Sequence, residues 1–273
     1  MLLHPRKNKL AKAAGQLGAA LHMASAIALC GLLCVFLGAC SSGSSSSQTQ
    51  NASDASGMAA DGGEISVSDK AQAAGPWDDV LRHYAANAQV NQLLLVQQTE
   101  QSVATASFYT KNAARTQNDP TAWTLVFEEN ARIGTDGVGQ ASETSSVTPE
   151  GDFGVTLAFG IGENPGTVLN YIHVTPTTYA CSDDCAYYNQ IIDVNEVLHS
   201  CSGEAMYNST RAYQYGFAID YNSECIYGKG SNFFIHCNGN HTTTEGCVTF
   251  SQENIVAILQ AATPGMRVII RAC

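Results

Sequence analysis

The chain has 273 residues, 45% hydrophobic and 14% charged, with 24 Asp and Glu against 13 Lys and Arg and a net charge of −11. All the acidic residues follow position 40 and four of the cations precede it, so the rest of the chain holds nine cations and carries −15. That excess argues against nucleic acid and anionic lipid as partners, and the roughly 200 residues from position 76 suffice for one domain with a full core.

Residues 1–39 read as a targeting segment. Arg6, Lys7, Lys9 and Lys12 form a positive start, and Ser25 to Leu37 is an apolar run. That run is shorter than the roughly 20 residues of a spanning helix. It ends in Leu37-Gly38-Ala39-Cys40, which resembles a bacterial lipobox. The resemblance implies cleavage before Cys40, acylation of its sulfur, and anchoring at the outer face of the cell membrane through an N-terminal lipid. An ordinary secretory signal with an incidental cysteine is the alternative. Residues 40–75 are rich in Ser, Ala and Gly, with almost no aromatic or branched apolar side chain. Such a segment reads as a flexible tether, because it cannot bury enough surface to offset its ordering entropy.

Residues 76–273 read as the folded domain. Trp77, Val80, Leu81 and Tyr84 at helical spacing predict a leading helix over 76–90, opened by Pro76. Strands are expected over 91–96, 105–109, 123–127, 154–161 and 169–174, and again over 213–221, where Tyr215, Phe217, Ile219 and Tyr221 share one side. A further strand covers 232–236. Ser251 is expected to cap a helix presenting Ile255, Ile258, Leu259 and Ala262 on one face. Pro264-Gly265 stops that helix, and 267–271 is a last strand. Many strands and a late helix predict a mainly β domain.

The stretch with chemistry runs from Phe233 to Val248. An apolar run delivers His236, a polar loop follows, and Thr244-Glu245-Gly246 sets up Cys247. The imidazole is expected to take the thiol proton and, as imidazolium, to lower the thiol pKa by about two units. Gly246 removes bulk before the sulfur, so the backbone N–H groups of Gly246 and Cys247 are the expected oxyanion donors. His236, the eleven-residue step and Thr-x-Gly-Cys-Val resemble the L,D-transpeptidase (YkuD-type) catalytic domain. Thr148-Pro149-Glu150-Gly151-Asp152-Phe153 resembles a further tract of that family. The likeness covers roughly 92–271 and is strongest from 211 onward. It implies a β-sandwich-like fold with a helix after the cysteine, Cys247 as nucleophile and His236 as general acid and base. It also implies peptidoglycan stem peptides as substrate, with acyl transfer from D-Ala to an amine and no cofactor. Two positions depart from the pattern: Glu245 stands where relatives often have histidine, and Thr249 where they have arginine or asparagine.

Seven cysteines follow Cys40, and an oxidising setting favours pairing. With Cys247 free, the other six allow 15 connectivities, of which Cys181–Cys185, Cys201–Cys225 and Cys237–Cys273 is one. No Cys-x-x-Cys or His-x-x-x-His pair repeats at zinc spacing, so no metal is expected. His241 reads as a solvated loop residue, His173 as a strand histidine, and His199 has no assigned role. Asp183, Asp184, Tyr188 and Asn189 resemble an acidic segment of the family, or form a loop closed by a local disulfide. Three functions stay open: transfer to an amine, L,D-carboxypeptidase action with water as acceptor, or a non-catalytic, disulfide-stabilised binding lipoprotein.

Overall fold

A computed structural model describes residues 75–112 and 120–273, all within one compact unit, Ser68–Cys273. The targeting segment, Cys40 and the tether up to residue 74 lie outside the described residues. In chain order the strands are β1 (Gln92–Glu100), β2 (Val103–Lys111), β3 (Trp123–Arg132), β4 (Val138–Gly139), β5 (Thr148–Pro149), β6 (Gly151–Gly160) and β7 (Tyr171–His173). They continue as β8 (Thr178–Cys181), β9 (Gln190–Asp193), β10 (Glu204–Ala205), β11 (Gly216–Ile219), β12 (Phe234–Cys237), β13 (Val248–Phe250) and β14 (Arg267–Arg271). The helices are α1 (Asp78–Ala85) and α2 (Gln252–Ala261). No helix among the described residues is long and apolar enough to cross a membrane.

The fold is mainly β, and its principal sheet closes on itself. The order β11-β12-β13-β3-β2-β1-β14-β6 returns to the start because β6 also pairs with β11. Closure removes the open edges that would otherwise template pairing with other chains. β7 extends the far end of β6, β4 pairs with β5, and β8, β9 and β10 form a separate three-stranded sheet.

Side-chain alternation divides the interior into three apolar clusters. In β1, Leu94 and Val96 enter the main core while Leu93 and Leu95 face α1, where Trp77, Leu81 and Tyr84 cover them. A strand covered on both faces reads as an unbroken apolar run, as Leu93-Leu94-Leu95-Val96 does. Tyr215, Phe217, Ile219 and Tyr221 all reach the main core, as their alternation predicts. Ala218 and Phe234 point the other way and join Phe159, Val174, Ala180, Met206 and Tyr213. The 178–214 excursion covers that outer face, and the candidate site lies beneath it.

Several boundaries differ from expectation. α1 stops at Ala85, and 213–221 opens with a 3-10 turn over Ala212–Gln214 before β11 begins. No disulfide is present among the described residues; all seven of their cysteines are free. The Cys181 and Cys185 sulfurs are 4.0 Å apart, about twice a disulfide bond length. The Cys237 thiol points back at the Tyr215 carbonyl, and the Cys225 thiol at that of Ser223.

Ser251 caps α2 by accepting from the Asn254 N–H, and its hydroxyl donates to Glu129 at 2.9 Å. Leu259 on the same helix is fully buried. Ser251→Ala should therefore cost about 1 kcal/mol and Leu259→Ala about 3 kcal/mol, read as shifts of the urea midpoint at constant slope.

Candidate active site

β12 and β13 run parallel in the register Ile235↔Val248 and His236↔Thr249. Ile235 and Cys237 enter the main core, so Phe234 and His236 face the outer side of the ring. Cys247, one residue before β13, packs against that same outer cluster. The structure thus brings the two expected groups to one face of adjoining strands. Tyr213 joins them: its ring centroid is 5.0 Å from that of His236 and 6.3 Å from that of Phe234.

The turn before the sulfur is held by Thr244. Its hydroxyl donates to the Cys247 carbonyl at 2.6 Å and accepts from the Gly246 N–H at 3.1 Å. Its backbone bonds Ile133 and Thr135 across the sheet. Gly246 has φ +136°, and a Cβ there would stand 2.5 Å from the Phe233 ring and 2.9 Å from the Val147 carbonyl. Only glycine fits that backbone. Of the two expected oxyanion donors, the Gly246 N–H is thus engaged with Thr244 at rest. Thr249 Oγ1 bonds Asn238 Oδ1 at 3.0 Å, tying the end of β12 to β13. Glu245 is exposed, as is His241, whose carbonyl accepts from Arg132.

The two groups share no hydrogen bond at rest. Among the described residues, His236 Nδ1 lies 3.0 Å from the Cys237 carbonyl. The thiol of Cys247 lies 3.5 Å from the Asn232 carbonyl and 3.4 Å from the Phe234 N–H, which donates to it. Burial pulls the His236 pKa down to about 4, against backbone contacts at Cys237 and Ala212 that favour the protonated ring. Burial also pushes the Cys247 thiol up to about 12, and the negative charges of Glu204 and Glu245 act in the same direction. The lowered thiol pKa expected from sequence is therefore reversed.

Two participants, Tyr213 and Asn232, carried no motif. Tyr213 is 4% exposed, donates its hydroxyl to Glu204, and is raised well above its ordinary pKa by burial, then by the nearby Cys247 and Glu204. Asn232 receives the thiol on its carbonyl, donates its N–H to Asn189 Oδ1 at 2.8 Å, and holds a buried Oδ1 with no partner among the described residues. The Asn189–Asn232 and Tyr213–Glu204 pairs arise from tertiary packing. Only the positive φ of Asn189 and Asn232 hints at their turns, a conformation Asn tolerates.

No family model matches the chain, and no curated protein matches it. Among solved structures it is similar to the crystal structure of the helical cell shape determining protein Pgp2 from Campylobacter jejuni, at 12% identity and a TM-score of 0.35. The match covers 71% of this chain and 54% of that one, so the chain spans about half the length of that protein. A likeness at this level carries nothing about the site.

The depressed His236 pKa has a consequence for stability. The unfolded histidine takes a proton near 6.5 and the folded one only near 4, so stability is full above 6.5 and is lost as pH falls toward 4. At pH 5 the loss from this group is about 2 kcal/mol. Urea unfolding at pH 5 and pH 7.5 should show it, and His236→Gln, which cannot titrate, should remove most of the difference.

Proposed function

We propose that the chain is a cysteine-dependent L,D-transpeptidase acting on peptidoglycan stem peptides, with Cys247 as nucleophile and His236 as general acid and base. The observation that carries this reading is the placement of both residues on one outer face of β12 and β13, around Tyr213. The His-loop-Thr-x-Gly-Cys resemblance supports the substrate class.

The charge state at rest decides how the step must run. A thiol near 12 and an imidazole near 4 differ by about eight units, roughly 11 kcal/mol against a separated ion pair. Two unit charges about 4 Å apart recover about 4 kcal/mol at an effective dielectric near 20. The resting pair is therefore neutral, and the proton moves as the sulfur attacks. The Nδ1–H donated to the Cys237 carbonyl leaves Nε2 as the acceptor on the ring. Contact between ring and thiol closes in the substrate complex, as catalytic hydrogen bonds commonly do.

In the acylation step the Cys247 sulfur bonds the carbonyl carbon after the third stem residue, and its proton passes to His236 Nε2. The oxyanion is taken by the Cys247 N–H, with Gly246 adding its own on release from Thr244. Collapse expels D-Ala, whose amine takes the proton from His236. An incoming amine then gives a proton to the same nitrogen and attacks the thioester, which frees the thiol. Water in place of the amine gives carboxypeptidase action. The remaining assignments belong to this proposal too: 76–273 as the catalytic domain, and the 1–39 signal, Cys40 lipid and tether that hold it to the membrane facing the wall.

Incubating the full chain with a carbapenem should give one covalent adduct, mapped by peptide mass to Cys247. Cys247→Ala should abolish it, and His236→Ala should slow it by at least about 100-fold. The rate should be flat between about pH 5 and pH 9, because neither group titrates there. Adduct formation at the wild-type rate in His236→Ala would transfer the base role to another group.

A further inference from the structure

A second cluster of chemistry lies on the excursion that covers the site. Cys181 ends β8, Cys185 sits in the turn that follows, and His199 and Cys201 lie in the loop before β10. The spacing is Cys-x3-Cys, then thirteen residues, then His-x-Cys. The ligand atoms of Cys181, Cys185 and His199 lie within 4.8 Å of one another, as do those of Cys181, Asp183 and Cys201. Cys181 Sγ is 4.0 Å from Cys185 Sγ, which is 3.4 Å from His199 Nε2. With Zn–S near 2.3 Å and Zn–N near 2.05 Å, the edges of a tetrahedral zinc site are about 3.8 Å and about 3.5 Å. These two separations are close to those edges, while Cys201 groups with Cys181 and Asp183 rather than with Cys185 and His199, so its loop must draw in to supply the fourth ligand.

The surrounding backbone is arranged for anionic sulfur. Two of the three cysteines accept an N–H from the residue two positions on: Tyr187 to Cys185 at 3.3 Å, and Gly203 to Cys201 at 3.2 Å. Two such bonds favour thiolates, which are the metal-binding form, whereas burial and then Cys201 push the Cys181 thiol up to about 12 in the metal-free protein. A Cβ at Gly203 would stand 1.9 Å from the Ala180 carbonyl, so only glycine lets the Cys201 loop approach β8 this closely.

We propose that Cys181, Cys185, His199 and Cys201 bind one zinc ion that fixes the 178–205 part of the excursion against the ring. Binding replaces three S–H bonds and a free imidazole nitrogen with four metal bonds and releases three protons. His199 Nε2 leaves its 3.4 Å contact with Asp183, which keeps the Ser202 N–H and hydroxyl. The ion then anchors the candidate site through the backbone. The Cys181 carbonyl accepts from Asn232 Nδ2 at 3.2 Å, and the Asn232 carbonyl receives the Cys247 thiol. Zinc binding is independent of any activity at Cys247.

The full chain, purified without chelator, should carry one zinc per molecule by elemental mass spectrometry. After exchange, cobalt should give the thiolate charge-transfer and tetrahedral d–d bands on wild-type protein. His199→Ala and Cys185→Ser should each weaken metal binding more than about 10-fold, whereas Cys225→Ser and Cys273→Ser should leave it unchanged. Absence of both zinc and the cobalt spectrum would overturn the proposal. So would a non-reduced peptide map showing Cys181 bonded to Cys185 or Cys201, or a cobalt spectrum lost only in Cys247→Ser.

Discussion

The parallel pairing of β12 with β13 is the constraint on which the site depends. Its register sets His236 beside Thr249, and the chain must therefore deliver Cys247 just ahead of that pair. Everything between the two residues serves that delivery. Thr244 pins the loop to 133–135, Gly246 makes the positive-φ step, and Phe233 closes over it. A one-residue slip would turn His236 into the main core and Ile235 out of it, because alternate residues of a strand face opposite sides.

Burial is the second constraint, and it works against the charge-separated form of the pair. His236 is 7% exposed, beneath Tyr213, and among the described residues the charged side chains acting on the Cys247 thiol are two carboxylates, Glu204 and Glu245. An arrangement of this kind stores no thiolate. It holds the sulfur as a buried, neutral thiol. Two surface depressions, one along α1 and β14 and one between 139–150 and 221–229, include neither His236 nor Cys247. The cover over the pair is the excursion itself, through Tyr213 and the Glu204 that holds its hydroxyl.

Much of the ring was legible in sequence. The run at 93–96 announced a strand buried on both faces, the alternation at 215–221 announced the core face, and Ser251 announced the cap of α2. The candidate pair was legible because a strand-end histidine and a Gly-Cys turn have few other uses. The excursion was not, since strands of two to four residues leave no measurable period. Its bonds also join partners far apart in the chain, as Asn189 with Asn232 and Tyr188 with Glu143. The direction of the thiol shift was missed for a related reason: sequence places His236 near Cys247 but says nothing of the desolvation each suffers. The cysteine-rich turn carries a spacing, Cys-x3-Cys with His-x-Cys, that matches neither Cys-x-x-Cys nor His-x-x-x-His.

The most direct measurement is the reaction of the full chain with a defined stem tetrapeptide and a free amine, followed by mass spectrometry. The account predicts release of D-alanine, a transient thioester on the peptide that carries Cys247, and a product in which the third stem residue is joined to the amine or to water. Recovery of unchanged tetrapeptide from folded protein with Cys247 intact and accessible would contradict it, and would favour a non-catalytic binding role for the same ring.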